Sequence, residues 1–163
     1  MTEQSSSSTM KFVPRARPAD TPVIVDVFAR SGPGGDVAFS HEWGWEDAGV
    51  SGHGTIDIPK KNEDDPGTPI HFHLHDLTRP RRALEFTNDA GGAIWVDRNR
   101  CPPPDRICSD EQIPDGKIRR AAKVLRVVDE NTEECVLHYR LRFQARDGKP
   151  ESYDPDITNG GKN

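Results

Sequence analysis

The stretch TPIHFHLHD, residues 68–76, alternates between apolar and polar side chains. Because successive side chains of a β-strand point to opposite faces of a sheet, a period of two predicts a strand with one buried face. Two sets of residues then lie on opposite sides of this strand: Ile70, Phe72 and Leu74 on the buried side, and His71, His73 and His75 on the other. The stretch therefore predicts both a piece of the core and the densest group of chemically active side chains.

Other stretches show the same alternation or a β-branched run, and turns rich in Gly, Pro, Asn and Asp separate them. In the segment 117–128, helix formers occupy the first half, but the β-branched residues of the second half favour a strand. We expect the segments 83–87 and 93–96 to form a hairpin. The chain then has seven to nine short strands, drawn from residues 23–28, 36–45, 54–58, 68–76, 83–87, 93–96, the second half of 117–128, 134–144 and 152–158.

Short strands at near-regular spacing, without a convincing long helix, predict an all-β fold. The expected architecture is an antiparallel β-sandwich of immunoglobulin-like type, and a jelly-roll or small barrel is the alternative. The length of 163 residues fits one domain, which we place at residues 20–158. The serine-rich residues 1–19 are expected to form a disordered N-terminal arm, and residues 159–163 a flexible C-terminal tail.

Composition excludes several classes of function. The net charge of −5 argues against a general nucleic-acid binder. No stretch reaches the roughly 20 apolar residues that a membrane helix needs, and the N-terminus has no apolar signal region, so we expect a cytoplasmic protein. The sequence also lacks a glycine-rich phosphate loop and a Gly-x-Ser-x-Gly nucleophile elbow.

The histidine strand is the candidate metal site. Histidines at alternate positions of a strand lie on one face about 6–7 Å apart, so the rings of His71, His73 and His75 can converge on a divalent metal such as zinc. Further ligands would have to come from elsewhere in the chain, with candidates at His41, His53, His138, Asp76 and Glu85. The favoured alternative is a solvent-facing polar surface on which histidine is tolerated, and a pH-sensing cluster is a third possibility.

Three residues here also resemble part of a known metal motif. Gly67, His73 and His75 have the Gly-x5-His-x-His spacing of the cupin family. Arg79 and Pro80 stand where that motif has a glutamate, and no second motif with its later histidine follows. The resemblance implies a metal-dependent, cupin-like enzyme.

Two tryptophans, Trp43 and Trp45, alternate with smaller residues in the segment 36–45. Exposed indole rings stack on sugars and on protein partners, so these two residues are candidate ligand or partner contacts. The simpler alternative is that they form the buried face of a strand.

Taken together, the sequence favours a non-catalytic β-sandwich that acts by binding, as a structural or interaction module with a protein partner or with itself. The first alternative is a metal-binding protein or metal-dependent enzyme that uses the histidine strand. A weaker alternative is a carbohydrate-binding module, which would be identified by glycan binding that is lost on replacing the tryptophans by alanine.

Overall fold

Two six-stranded β-sheets face each other across one apolar core in the computed structural model of the protein. The structure describes residues 21–47, 52–88, 90–103 and 106–161, so the predicted N-terminal arm, residues 1–19, lies outside them. Within these ranges neither sheet closes into a barrel. No helix among them is long and apolar enough to cross a membrane. The all-β prediction is confirmed at this level.

The first sheet is built around two long central strands. In spatial order it contains β3 (Gly52–His53), β2 (Val37–Trp45), β1 (Val23–Ser31), β5 (Thr68–Leu77), β9 (Val124–Asp129) and β8 (Arg119–Arg120). The predicted histidine strand is β5, and burial alternates along it as the period of two requires. It lies between β1 and β9, with its apolar side chains turned towards the second sheet.

The second sheet is organised by one strand of eleven residues, β10 (Glu134–Gln144). On one side β10 pairs with β6 (Glu85–Phe86) and β7 (Ile94–Asp97). On its other side it pairs with β11 (Pro150–Tyr153) and β12 (Asp156–Gly160), and β12 pairs in turn with β4 (Ile56–Ile58). A four-residue helix, α1 (Ala90–Ala93), and two 3-10 turns, Pro33–Gly35 and Asp115–Lys117, complete the elements.

The expectation of a wholly antiparallel sandwich was wrong, because two pairs of strands are parallel. β1 runs parallel to β5, and β4 runs parallel to β12. In both pairs the two strands are far apart in sequence, and other elements intervene. Alternation shows that a strand has one buried face but carries no information about the direction of its neighbour.

Two local predictions also differ from the structure. The segments expected to form a hairpin became β6 and β7, which pair with β10 and not with each other, since α1 intervenes between them. The expected flexible tail from Asn159 is instead the end of β12, which continues through Gly160, and Asn159 is completely buried. Residues 162–163 lie outside the described part.

Aromatic side chains from both sheets meet in the core. The rings of Phe72 on β5 and Tyr139 on β10 lie 5.5 Å apart between centroids, and those of Phe39 on β2 and Phe143 on β10 lie 5.1 Å apart. Contacts of this kind join the sheets through the largest apolar areas that the chain can bury.

Tyr139 places a polar atom in this core. Its hydroxyl is buried and has no hydrogen-bond partner among the described residues. Because an unpartnered buried hydroxyl costs about 1–3 kcal/mol, we predict that Tyr139→Phe leaves the free energy of unfolding unchanged or raises it by up to that amount. Urea denaturation measures the effect. Phe143→Ala is the matched control, and it should lower stability by about 3–5 kcal/mol. A clear loss of stability in Tyr139→Phe would show that the Tyr139 hydroxyl makes a stabilising hydrogen bond and would contradict the prediction.

Candidate functional site

The three histidines of β5 all lie on the outward face of the first sheet. The side chains of His73 and His75 are 38% and 43% exposed, so both are accessible from solvent, and His71 is half-buried. The sequence prediction that they share one face is therefore confirmed. Whether that face binds a metal stays a prediction.

Asp26 joins two of these histidines. The parallel pairing of β1 with β5 places Asp26 opposite His73, and its Oδ1 atom lies 3.9 Å from His73 Nδ1. The same oxygen accepts a hydrogen bond from His75 Nε2 at 2.6 Å. One carboxylate oxygen thus faces two imidazole nitrogens on an open surface.

Ring stacking orients the outermost histidine. Phe28 lies two residues after Asp26 on β1, and its ring stacks on that of His75 with a centroid distance of 5.0 Å. Arg30 continues the row, with its guanidinium carbon 5.0 Å from the centre of the Phe28 ring. These contacts fix the plane of the His75 ring and keep its Nε2 atom turned towards Asp26.

His71 is in a different environment. Its cross-strand neighbour on β9 is Arg126. Burial lowers the pKa of His71, and the charges of Arg126 and His73 lower it further, against an opposing effect from Glu46. A permanent positive charge beside His71 disfavours a cation there, so the predicted trio separates into His73 and His75 with Asp26, and His71 apart.

The other histidine candidates do not converge with His73 and His75. His53 lies on the same outward face, but on the edge strand β3, three strands from β5 and paired with Glu42. His138 binds Asp156 on the second sheet. Across the described ranges, no group of three or more His, Cys, Asp or Glu side chains forms an arrangement that could hold a metal ion.

Asp26 is the residue that sequence reasoning missed. It is the only charged residue in the β-branched run 23–28, which marks it as outward-facing, but its approach to His73 depends on a parallel pairing that the sequence does not reveal.

The two tryptophans lie on the inward side of β2, together with Phe39 and His41. Both are partly buried and pack against the core. Trp43 lies flat against Gly52 of β3, where a Cβ atom would come within 2.7 Å of Trp43 Cε2. Trp45 lines a groove of 530 Å³ that also contains Asp57 and Glu134. A role of Trp43 and Trp45 in ligand or carbohydrate contact stays a prediction.

The edge of β2 is the second feature of functional interest. All nine residues of β2 pair with β1 on one side. On the other side β3 pairs only with Glu42 and Trp43. Among the residues that the structure describes, no strand pairs with residues 37–41 on that side.

Inward side chains hold this edge in place. The ring of Phe39 stacks on Tyr153 of β11, with 5.6 Å between centroids. His41 Nδ1 lies 2.7 Å from the hydroxyl of Tyr153, and His41 Nε2 contacts the carbonyl oxygen of Gly54. Because a carbonyl oxygen can only accept, Nε2 carries the proton and Nδ1 accepts the hydrogen bond that the tyrosine hydroxyl donates.

Comparison with known proteins adds no assignment. No protein-family model matches the chain, and no curated protein matches it significantly.

The bonding of His41 generates a prediction about acid stability. Burial lowers its pKa below 6.5, partly offset by the Gly54 carbonyl, and protonation would remove the acceptor that Tyr153 uses. The stability that neutral His41 contributes is complete above the unfolded-state pKa and is lost as the pH falls through the lower folded-state pKa. We predict that His41→Gln loses less stability than wild type between about pH 7.5 and about pH 5, as measured by chemical denaturation.

His138→Gln, which removes a partly exposed histidine from the second sheet, is the control for this comparison. An equal loss of stability on acidification in wild type and His41→Gln would show that His41 does not titrate during unfolding.

Proposed function

We propose that the protein is a non-catalytic binding module that takes up an extended protein segment, from a partner or from a second copy of itself, along the edge of β2. The observation that carries this proposal is the unpaired run of residues 37–41. An unpaired strand edge presents a row of backbone donors and acceptors, and adding a strand to such an edge is a common mode of peptide recognition.

The strands at the ends of the two sheets offer shorter edges for pairing. At the ends of the two sheets, β3 and β8 contain two residues each, β4 contains three, and β11 contains four and begins with a proline. Short edge strands are one of the means by which proteins avoid unwanted pairing. The edge of β2 is longer by comparison and is not protected in this way.

Side chains on this edge permit close approach. The outward-facing residues Ala38 and Ser40 are exposed and small, and neither is the lysine or proline that commonly guards an edge. Arg30 on β1 donates a hydrogen bond to Ser40 Oγ at 3.1 Å, which leaves the edge itself uncovered. Because Phe39 and His41 hold β2 against β11, an incoming strand meets a preformed backbone and has less conformational entropy to lose.

Lysine substitution on the edge tests the proposal. Ala38→Lys combined with Ser40→Lys adds two charges at exposed positions, so the fold should be retained. We predict that the dissociation constant for self-association or for an identified partner segment rises by about tenfold or more, which corresponds to about 1.4 kcal/mol. Sedimentation velocity measures assembly, and amide hydrogen exchange should show protection at residues 37–41 in wild type only.

The matched control is Asn99→Lys with Ala121→Lys, which makes the same change of charge at exposed positions away from β2. This mode of binding would be ruled out if assembly were unchanged in the β2 variant. It would also be ruled out if the wild-type protein stayed monomeric and showed no protection at residues 37–41 with any candidate segment.

Metal binding, whether or not it supports a metal-dependent enzyme, is the second candidate function. The contact of Asp26 Oδ1 with His75 Nε2 at 2.6 Å and its 3.9 Å approach to His73 Nδ1 favour it. A zinc ion with ligands at about 2.0–2.2 Å would require movements of both rings and further ligands from water.

Elemental analysis before and after mild chelation tests this candidate. We expect wild type to contain near-stoichiometric zinc, iron, manganese or copper. This metal should be absent from the triple variant His71→Ala/His73→Ala/His75→Ala and from Asp26→Asn, and the metal content of His138→Ala should equal that of wild type. Metal-free wild type after purification in the presence of zinc would exclude the site.

We also propose the immunoglobulin-like type for the sandwich. Its support is two facing sheets with mainly antiparallel neighbours. An experimental structure whose strand connections differ from those of immunoglobulin domains would overturn it.

A further inference from the structure

One end of the sandwich interior is polar. Thr68 on β5 and Asp129 on β9 are paired across the first sheet, and both are completely buried. Asn159 on β12 faces them from the second sheet and is also completely buried. The other fully buried positions of the same strands carry apolar side chains.

A hydrogen bond between the side chains of Asp129 and Asn159 connects the two sheets, but one oxygen of each side chain takes no part in it. Asp129 Oδ1 accepts a hydrogen bond from Asn159 Nδ2 at 2.9 Å and another from the backbone N–H of Asn131 at 2.9 Å. Asp129 Oδ2 and Asn159 Oδ1 are both buried and have no hydrogen-bond partner in the described part of the chain. The partnerless atoms are thus the second oxygen of the carboxyl group and the oxygen of the amide bound to it.

Protonation decides whether these two oxygens repel or bind. An ionised carboxylate can only accept, so Oδ2 and the amide oxygen are then two acceptors. Neither receives a hydrogen bond from the hydroxyl of Thr68, which is also buried without a partner in the described part of the chain. A proton on Oδ2 supplies the donor. The acid and the amide then form two hydrogen bonds, one in each direction, and all four atoms are satisfied.

We propose that Asp129 is a proton-operated clamp between the two sheets: in its neutral form it pairs with Asn159 through two hydrogen bonds, and on ionisation one of these bonds is lost. This inference concerns the end of the sandwich and does not depend on the binding mode proposed for β2.

The groups around Asp129 favour uptake of the proton. Asp110 and Glu130 are acidic neighbours, and the thiol of Cys135 is also close enough to interact. Arg98 is the cation nearby, but its guanidinium is bound to Asp110 at 2.6 Å and also to Glu133. Burial raises the pKa of Asp129 to about 6, with Asp110 and Glu130 adding to the increase and the bonds from Asn131 and Asn159 opposing it.

The adjoining turn joins Asp129 to the far edge of the second sheet. Asn131 Nδ2 donates to the carbonyl oxygen of Pro59, directly after β4, and Asn131 Oδ1 accepts from the N–H of Gly161, directly after β12. Asp129 in turn holds the backbone of Asn131. Because these bonds use the other carboxyl oxygen and the side chain of Asn131, they persist on ionisation, and the effect of the clamp reaches the second sheet through Asn159 on β12.

The sign of the pH dependence follows from the direction of the shift. An aspartate whose pKa is raised in the folded state stabilises the fold most below its unfolded-state value of 3.8, and this contribution is lost as the pH rises through about 6. A shift from 3.8 to about 6 corresponds to a change on the order of a hundredfold in the folding equilibrium constant.

Asp129→Asn imitates the neutral acid at every pH. Its amide can accept from Asn131 and Asn159 and can donate to Asn159 Oδ1. Urea denaturation across about pH 4.5 to about pH 8 should show this variant gaining stability over wild type as the pH rises. Amide exchange in β12 should be slower in Asp129→Asn than in wild type at neutral pH. Asp57→Asn, which neutralises an exposed carboxylate on β4, is the control and should not change the pH profile.

Two results would overturn the proposal. The first is an Asp129→Asn variant that is folded and less stable than wild type at neutral pH. The second is calcium-dependent stabilisation of wild type that Asp129→Asn lacks, because a cation would then satisfy the two oxygens in place of the proton. If Asp129→Asn does not fold, carboxyl-carbon NMR titration of Asp129 in wild type decides, since a midpoint at the ordinary aspartate value of 3.8 excludes a clamp that opens near pH 6.

Discussion

Burial of one face of β5 is the constraint on which the rest of the structure depends. Ile70, Phe72 and Leu74 are at most 5% exposed, and they hold a strand that has neighbours on both sides. A slip of one residue in register would exchange these side chains for three histidines. The same register that protects the core therefore presents His73 and His75 beside Asp26, so the fold and the candidate site are fixed by one alignment.

The sequence predicted what depends on local periodicity. The positions of β1, β2, β5, β9 and β10 follow from alternating or β-branched runs, because burial of one face imposes a period of two on any strand. Prediction failed where structure depends on distant partners. The short β6 and β7 are stabilised by β10, and the parallel neighbours of β5 and β12 leave no local mark.

The same distinction explains which parts of the candidate site could be predicted from the sequence. A shared face for the histidines could be predicted because they lie on one strand. The contact with Asp26 could not, since it joins residues 49 positions apart through the choice of neighbour. Asn159 was expected in a tail because glycine and asparagine favour irregular structure, yet the buried carboxyl group of Asp129 across the sandwich gives its amide a partner.

The parallel pairing of β4 with β12 has a consequence for biosynthesis. Ile56 and Ile157 are cross-strand neighbours although they lie 101 positions apart in the chain, and β12 is the only strand that pairs with β4 in the described residues. During translation β4 therefore emerges long before its partner and must wait with an unpaired backbone until β12 has left the ribosome. Throughout that interval β4 is an accessible, strand-forming segment, and the second sheet is completed only after β12 has been made.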